Sequence, residues 1–167
     1  RQAQSSYVRY QLGLVLSELG ESDKAISYFE KVQSDSRWGD NATYNIASLQ
    51  FKKANFEEAE RRYSELIATN PSATILSKSL LNRAICYSNL NQVKKAKNDY
   101  EEILETHLTS SEALSAILGL QELKQKGVTI NDLDSKIASY KSANPNDGSL
   151  ESIEFEAAKA FYFDLSY

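Results

Sequence analysis

The chain has 167 residues, of which 41% are hydrophobic and 25% are charged, and its formal net charge is −4. This composition is typical of a folded domain or a short array of repeats, not of a disordered segment. Charges of both signs are dispersed along the chain, which disfavours the clustered basic surface that nucleic-acid binding requires. No apolar run reaches the roughly 18 residues of a membrane span, so we expect no direct membrane insertion by this chain.

Residues that interrupt helices are rare. Two prolines and six glycines predict long helices separated by brief turns. The chain has no methionine, so we expect it to be a piece of a longer protein. Its one cysteine, Cys86, excludes an internal disulfide. Because Cys86 lies in the stretch NRAICYSNL, we expect it to be a packed small side chain rather than a reactive thiol.

The first patterned stretch is YQLGLVLSELGESDKAISYF, residues 10–29. Its residues Leu12, Leu16 and Leu19 recur at helical spacing, which predicts an amphipathic helix. After this helix, Ala25 is followed four residues later by Phe29, which places the small residue and the aromatic on the same face of a second helix.

This alanine–aromatic pair recurs twice further along the chain, with spacings of 34 and 37 residues. The later copies are Ala59–Tyr63 and Ala96–Tyr100, and a further small residue precedes the three pairs at Gly13, Ala47 and Ala84. Self-similarity at this period indicates a helical solenoid. A Gly or Ala where two helices cross lets their axes approach, and the aromatic one turn later fills the space beside the crossing.

The pattern resembles the tetratricopeptide repeat, a unit of about 34 residues with Leu-Gly, Tyr, Ala-x-x-x-Phe and Pro at set positions. The resemblance is strongest in three units. A fourth unit is degenerate, since Gln121 and Leu133 stand at its small-residue positions and predict wider packing. A fifth unit is represented by its first helix alone. The units are 6–39, 40–73, 77–110, 114–147 and the half unit 151–167.

The resemblance implies an all-α fold, an α-solenoid of antiparallel helix hairpins that winds about four and a half repeats into a right-handed superhelix. In this family the first helix of each hairpin lines the concave surface, which can hold an extended peptide or a helix of a partner protein. The family's groove positions fall on Tyr7, Tyr10, Leu14, Tyr44, Asn45, Ser48, Phe51, Lys78, Leu81, Asn82 and Ile85. Each aromatic among them can equally be a packing residue between neighbouring helices.

Some members of the family grip the acidic C-terminal tail of cytosolic chaperones with a carboxylate clamp of Lys, Asn and Arg side chains. In this chain Asn45 and Lys78 match two of the clamp positions, whereas Tyr10, Leu14 and Asn82 occupy the other three. Because two cations are replaced, we expect this groove not to clamp a terminal carboxylate.

The sequence offers little for catalysis, and we expect no enzyme, no cofactor and no metal site. His107 is the only histidine and stands where a helix ends, a place that suits a side chain near terminal carbonyls. The adjacent pairs Glu57–Glu58 and Glu101–Glu102 diverge around a helix and predict solvated faces. Asn41-Ala42-Thr43 matches a glycosylation acceptor, but we prefer Asp40 or Asn41 as a helix N-cap.

Three functions are open at this point. The leading one is a non-catalytic scaffold for protein–protein interaction that binds a peptide or helix in the groove. The second is a structural spacer or self-association module, and the third is a regulatory domain of a larger enzyme. The 37-residue spacing and the ending SIEFEAAKAFYF resemble multi-repeat proteins of the bacterial envelope, which suggests a location in the cell envelope or periplasm.

Overall fold

The structure is a computed structural model that describes residues 2–149, and all regular secondary structure in this range is helical. The predicted half unit 151–167 lies outside the described residues. The helices are α1 Gln2–Glu18, α2 Ser22–Glu30, α3 Gly39–Lys52, α4 Phe56–Ala68, α5 Ala73–Asn89, α6 Val93–Thr106, α7 Glu112–Gln125 and α8 Leu133–Ala143.

Consecutive helices pair into four hairpins, α1–α2, α3–α4, α5–α6 and α7–α8, and each hairpin packs on the next. The predicted all-α solenoid of helix hairpins is therefore confirmed. The last hairpin is looser than the others, because α7 and α8 contact each other less than the helices of the first three hairpins do. This agrees with the large residues Gln121 and Leu133 at the positions where the earlier hairpins have Gly or Ala.

Small residues lie at the helix crossings. Ala25, Ala59 and Ala96 are fully buried, each in a hydrophobic cluster with the aromatic one turn later. At Gly13 the two helices approach closely, because a Cβ there would lie 2.6 Å from Cε1 of Phe29. The glycine therefore lets the Phe29 ring sit directly against the backbone of α1.

The turn between the two helices of a hairpin uses a left-handed residue. Gly20, Ala54 and Asn91 have φ values of 78°, 57° and 57°, and they occupy equivalent places in the first three hairpins. Around Ala54 the backbone N–H of Asn55 donates to the carbonyl of Gln50 at 3.0 Å, as in a helix-terminating Schellman motif. Only the first of the three turns uses glycine, the residue that adopts this conformation without steric cost.

The start of α3 differs from the prediction. Neither Asp40 nor Asn41 caps the helix, because α3 begins at Gly39 and both residues lie in its first turn. The carboxylate of Asp35 instead accepts the backbone N–H of Arg37 at 2.9 Å and that of Trp38 at 3.2 Å. The turn before α3 is so tight that a Cβ at Gly39 would lie 2.3 Å from the carbonyl oxygen of Gln33. Because glycine has no Cβ, the helix can begin at this residue.

The helical spacing of Leu12, Leu16 and Leu19 predicted one apolar face, but that face is not buried at Leu12 and Leu19. Leu12 and Leu19 are 42% and 68% exposed, and Val8 and Val15 on the same face of the helix are about half exposed. Helical spacing alone marks this face as apolar, but no element of the described range 2–149 covers it.

The first helices of the hairpins form one layer of the solenoid. Contacts run directly from α3 to α5 and from α5 to α7, whereas the second helices of neighbouring hairpins contact one another less. Because α3, α5 and α7 approach one another more closely than the second helices do, the stack of hairpins curves toward the first helices. The surface of α1, α3, α5 and α7 is therefore the inner face, and the predicted groove residues lie on these four helices.

Candidate functional site

The inner face is a mixed polar and apolar surface, and its predicted residues differ widely in exposure. Tyr7 and Lys78 are exposed, Tyr10 is buried, and the remaining predicted groove residues are half-buried. These half-buried residues are Leu14, Tyr44, Asn45, Ser48, Phe51, Leu81, Asn82 and Ile85. No ligand contact tests these assignments, so their role in binding stays a prediction.

A tyrosine–asparagine hydrogen bond closes the gap between α1 and α3. The side-chain amide of Asn45 donates to the hydroxyl of Tyr10 at 3.1 Å. The Tyr10 ring is only 8% exposed, because it stacks on Trp38 with 5.0 Å between ring centroids and packs against Phe29 at 5.6 Å. Burial raises the pKa of Tyr10, although the hydrogen bond from Asn45 opposes this. Tyr10 is thus a packing residue, one of the two roles that the sequence left open for it.

The same kind of bond closes the gap between α3 and α5. The amide of Asn82 donates to the hydroxyls of Tyr44 at 3.0 Å and Tyr63 at 3.1 Å. Tyr63 comes from α4, so a single amide ties together three helices. Burial raises the pKa of both tyrosines. In each amide–hydroxyl pair both polar groups have a hydrogen-bond partner, which avoids the cost of burying an unsatisfied donor or acceptor.

Between α5 and α7 the gap is open and forms a cavity of about 410 Å³. We name it the α5–α7 cavity. Its volume lies within the range of roughly 300–1,000 Å³ that is usual for ligand pockets. The residues that line it are Leu81, Ile85, Ser88, Asn89, Tyr100, Ser115, Leu118, Gly119, Glu122 and Lys126.

The cavity opens because the closing pair is missing at this position. A step of 37 residues takes Tyr44 to Leu81 and Asn82 to Gly119, and neither replacement has a side chain that can form the hydrogen bond. The absence of a Cβ at Gly119 also lets Tyr100 approach, since a Cβ there would lie 2.4 Å from the Cζ of that ring. Burial raises the pKa of Tyr100, and a hydrogen bond with Ser88 acts in the opposite direction.

The chemistry of the cavity changes along its length. Leu81, Ile85 and Leu118 supply an apolar wall, whereas the other end has polar residues. At the polar end the ammonium of Lys126 donates to a carboxylate oxygen of Glu122 at 2.5 Å, so the two charges neutralise each other.

Sequence reasoning placed only Leu81 and Ile85 of this cavity in the groove. It missed the contribution of α7, where Ser115, Leu118 and Gly119 lie. A signal was present, because the 37-residue step that takes Tyr44 to Leu81 continues to Leu118. The groove positions were not carried into the fourth repeat because its small-residue pattern is degenerate.

Phe51, at the end of α3, is partly engaged by its own hairpin. Its ring packs edge-on against Phe56 of α4 with 5.6 Å between centroids. At the other end of the groove, Tyr7 lies against Trp38 at 5.5 Å but remains 47% exposed. Of the predicted groove aromatics, Tyr7 is therefore the most accessible to a ligand.

A buried ion pair on the side of α5 away from the groove holds this helix against its neighbours. The guanidinium of Arg83 donates twice to the carboxylate of Asp99 on α6, at 2.8 Å each, and once to Ser64 on α4 at 3.2 Å. Two parallel bonds fix the orientation of the guanidinium plane. The network therefore sets the position of one wall of the α5–α7 cavity.

Cys86 and His107 are the residues that the sequence offered for other chemistry. Cys86 is fully buried, as predicted, and burial raises its pKa to about 12. His107 follows the last residue of α6, and its backbone N–H donates to the carbonyl of Ile103. Within residues 2–149 no group of three or more His, Cys, Asp or Glu side chains is placed to hold a metal ion. In the same range, no helix combines the length and apolarity needed to cross a membrane.

Comparison with known families agrees with the packing described above. Tetratricopeptide-repeat family profiles match residues 6–34 and residues 78–107, ranges that contain the first and third alanine–aromatic pairs. Each of the two matched segments is thus similar to a tetratricopeptide repeat. The match covers two of the hairpins, and the remaining hairpins repeat the same architecture.

Two curated proteins are similar to this chain over most of its length. The chain is 26% identical to Hsp70-Hsp90 organizing protein 1 of Glycine max over 133 residues, which is 79% of this chain and 22% of that protein. It is 26% identical to a chloroplastic protein of Arabidopsis thaliana over 107 residues, 64% of this chain and 31% of that protein. The chain thus spans about a fifth to a third of the length of these relatives.

A solved structure with a similar fold is the first tetratricopeptide-repeat domain of Spaghetti (RPAP3), bound to the HSP90 peptide SRMEEVD. It superimposes with a TM-score of 0.63 and 25% sequence identity, over 75% of this chain and 95% of that one. The comparisons do not support the narrower resemblance to bacterial envelope proteins, and the predicted envelope location stays a prediction.

Proposed function

We propose that this chain is a non-catalytic scaffold that binds a segment of a partner protein on the face formed by α1, α3, α5 and α7. The observation that carries the proposal is the open α5–α7 cavity on this face, whose lining combines the apolar side chains of Leu81, Ile85 and Leu118 with hydroxyl, amide and paired charged groups. Concave sites in which apolar surface adjoins convergent polar groups are typical of binding sites.

The fold similarity supports the same function. A domain with a TM-score of 0.63 to this chain was solved with a bound peptide, and stacked helix hairpins in general present extended binding surfaces. The identity of that peptide is not carried over to this chain, since three of the five clamp positions here hold Tyr10, Leu14 and Asn82.

The test is a selection for binding peptides. Two random peptide libraries are displayed on phage, one with the peptide inside a coat protein and the other with a free C-terminal carboxylate. The enriched peptides are synthesised, and their affinities are measured by isothermal titration calorimetry against the wild type and Leu81→Ser. We expect Leu81→Ser to weaken binding about tenfold or more, which corresponds to about 1.4 kcal/mol.

The matched control is Ile26→Ser, which, like Leu81→Ser, replaces a partly buried aliphatic residue, but on α2 and outside the predicted groove. Its affinity for the peptides should equal that of the wild type, and circular dichroism should show folded helices in both variants. If neither library yields a binder, or if both variants bind like the wild type, the proposal of a peptide-binding groove is wrong.

One observation favours the second function, self-association. Val8, Leu12, Val15 and Leu19 are spaced by four, three and four residues and expose an apolar stripe along α1 and the residue that follows it. This spacing is that of a helix–helix seam. Sedimentation velocity of the wild type and Leu12→Glu tests it: a dimer that the substitution abolishes supports self-association, and a monomeric wild type excludes it over the concentrations measured.

A further inference from the structure

The three gaps between neighbouring first helices are chemically different. The first two are closed by amide–hydroxyl hydrogen bonds, Asn45 to Tyr10 and Asn82 to Tyr44. A ligand that entered either gap would have to break a satisfied and partly buried hydrogen bond, at a cost in free energy. The third gap contains no such bond, because Leu81 and Gly119 replace the pair. A side chain from a ligand therefore enters most easily between α5 and α7.

We propose that the groove recognises an internal segment of its partner, which inserts an uncharged apolar side chain into the α5–α7 cavity, and that a free C-terminal carboxylate is not required. This inference deepens the proposed function and rests on it. The occupant is thus a peptide segment with an aliphatic or aromatic anchor residue.

The shape and lining of the cavity favour an apolar anchor. Leu81, Ile85 and Leu118 are half-buried in the absence of a ligand, and covering them removes apolar surface from water, which is favourable. The ring of Tyr100 also lines the cavity and lies directly against Gly119. Its ring carbons add to the surface that an apolar anchor side chain can cover.

The charges of the cavity disfavour a carboxylate. Lys126 is the one cation among the lining residues, and it is paired with Glu122 at 2.5 Å. An incoming carboxylate would compete with Glu122 for Lys126 and would lie beside a like charge, which is unfavourable.

The clamp positions outside the cavity lead to the same conclusion. The amide of Asn45 is committed to the Tyr10 hydroxyl, and Leu14 has no hydrogen-bonding group. Lys78 is exposed on α5, but a single lysine binds as a point charge without the bidentate geometry of several donors. A terminal carboxylate therefore gains little from this groove.

The experiment uses the two peptide libraries described above. We expect the internally displayed library to yield peptides that share one aliphatic or aromatic residue. The same peptides, synthesised with a C-terminal amide or a free acid, should bind the wild type within about threefold of each other. The HSP90 peptide SRMEEVD serves as the acidic comparison and should bind more weakly than the selected peptides.

Ser115→Trp tests the cavity directly. Ser115 is exposed and lines the cavity, so a tryptophan there fills the space without replacing a buried side chain. We expect it to weaken binding of the selected peptides about tenfold or more. The matched control is Ser27→Trp, at an exposed helical position on α2 that does not line the cavity, and it should change the affinity by less than about twofold.

A second measurement keeps the test independent of how well the variants fold. In a two-dimensional NMR spectrum of the wild type, the backbone amide of Gly119 should shift on addition of a selected peptide. That of Gly20, in the turn of the first hairpin, should not shift.

The outcomes separate this inference from the proposed function. Binders that come only from the free-carboxylate library and lose affinity on amidation overturn the inference and leave the groove function standing. The inference is also overturned, and the groove function still stands, if the selected peptides lose affinity for Leu81→Ser but neither shift the Gly119 amide nor lose affinity for Ser115→Trp. The lack of a binder from either library refutes the proposed function itself.

Discussion

The crossing of α1 and α2 makes a quantitative prediction for Gly13→Ala. The added Cβ would lie 2.6, 2.8 and 2.9 Å from three carbons of the Phe29 ring. Non-bonded carbon atoms prefer separations of about 3.5–4.0 Å. Because Phe29 is fully buried, its ring cannot move into solvent, and α1 and α2 must separate by up to about 1 Å instead.

Two opposing effects determine the magnitude for Gly13→Ala. Overpacking of this kind costs roughly 1–3 kcal/mol, whereas alanine in a helix interior gains about 1 kcal/mol over glycine. We expect a net loss of up to about 2 kcal/mol in the free energy of unfolding. The sign is informative, because helix propensity alone predicts that this substitution stabilises the protein.

The assay is urea unfolding followed by circular dichroism, on wild type, Gly13→Ala, Phe29→Leu and the double variant. The smaller leucine gives the new methyl group room, so the double variant should be more stable than the sum of the single effects by about 1 kcal/mol. Additive effects, or a Gly13→Ala variant more stable than the wild type, would refute the reasoning that the glycine is required by the Phe29 contact.

Three further predictions concern the second hairpin. Ala59→Leu should lower the free energy of unfolding by about 1–3 kcal/mol, because the larger side chain overpacks the fully buried helix crossing. An unchanged midpoint of urea unfolding would contradict the predicted position of the crossing. Ala54→Gly should stabilise by roughly 0.5–1 kcal/mol, because Ala54 has a φ of 57° and glycine relieves that strain; a lower thermal midpoint would contradict it. Hydrogen bonds from Arg61, aided by Arg62, lower the pKa of Glu58 to about 2. The stabilisation by this carboxylate is therefore present above its ordinary pKa of 4.5 and lost as the pH falls toward 2. Glu58→Gln should thus lower the free energy of unfolding by about 0.3–1 kcal/mol at pH 7, a small effect because the site is partly exposed. Near pH 2 it should have no effect. A stability difference between variant and wild type that does not change with pH would argue against the ionic origin.

Local spacing made the architecture predictable. A small residue and an aromatic one turn apart define which face of a helix is buried, whatever the neighbouring repeat contains. The buried positions of Ala25, Ala59 and Ala96 and the glycine contact at Phe29 were therefore readable from the spacing. Cys86 was readable for the same reason, because it lies on an apolar stretch of a helix.

The start of α3 and the exposure of α1 were not predictable in this way. Asp35 and Gly39 set the turn before α3 through contacts with backbone groups, and these depend on the conformation of a loop. The apolar face of Leu12 and Leu19 has the same helical spacing as a buried face, so periodicity cannot tell whether another element covers it.

The sequence by itself determined that this chain is a stack of helix hairpins, because the determining contacts join residues within one hairpin. Only the tertiary structure decided which gaps between hairpins are open. The amide of Asn82 meets Tyr44 and Tyr63 across distances of 38 and 19 residues along the chain. Whether such groups meet depends on the displacement of one hairpin relative to the next, which no local pattern specifies. The α5–α7 cavity exists because Leu81 and Gly119 line this gap at the positions where the preceding gap has the hydrogen-bonded Tyr44 and Asn82.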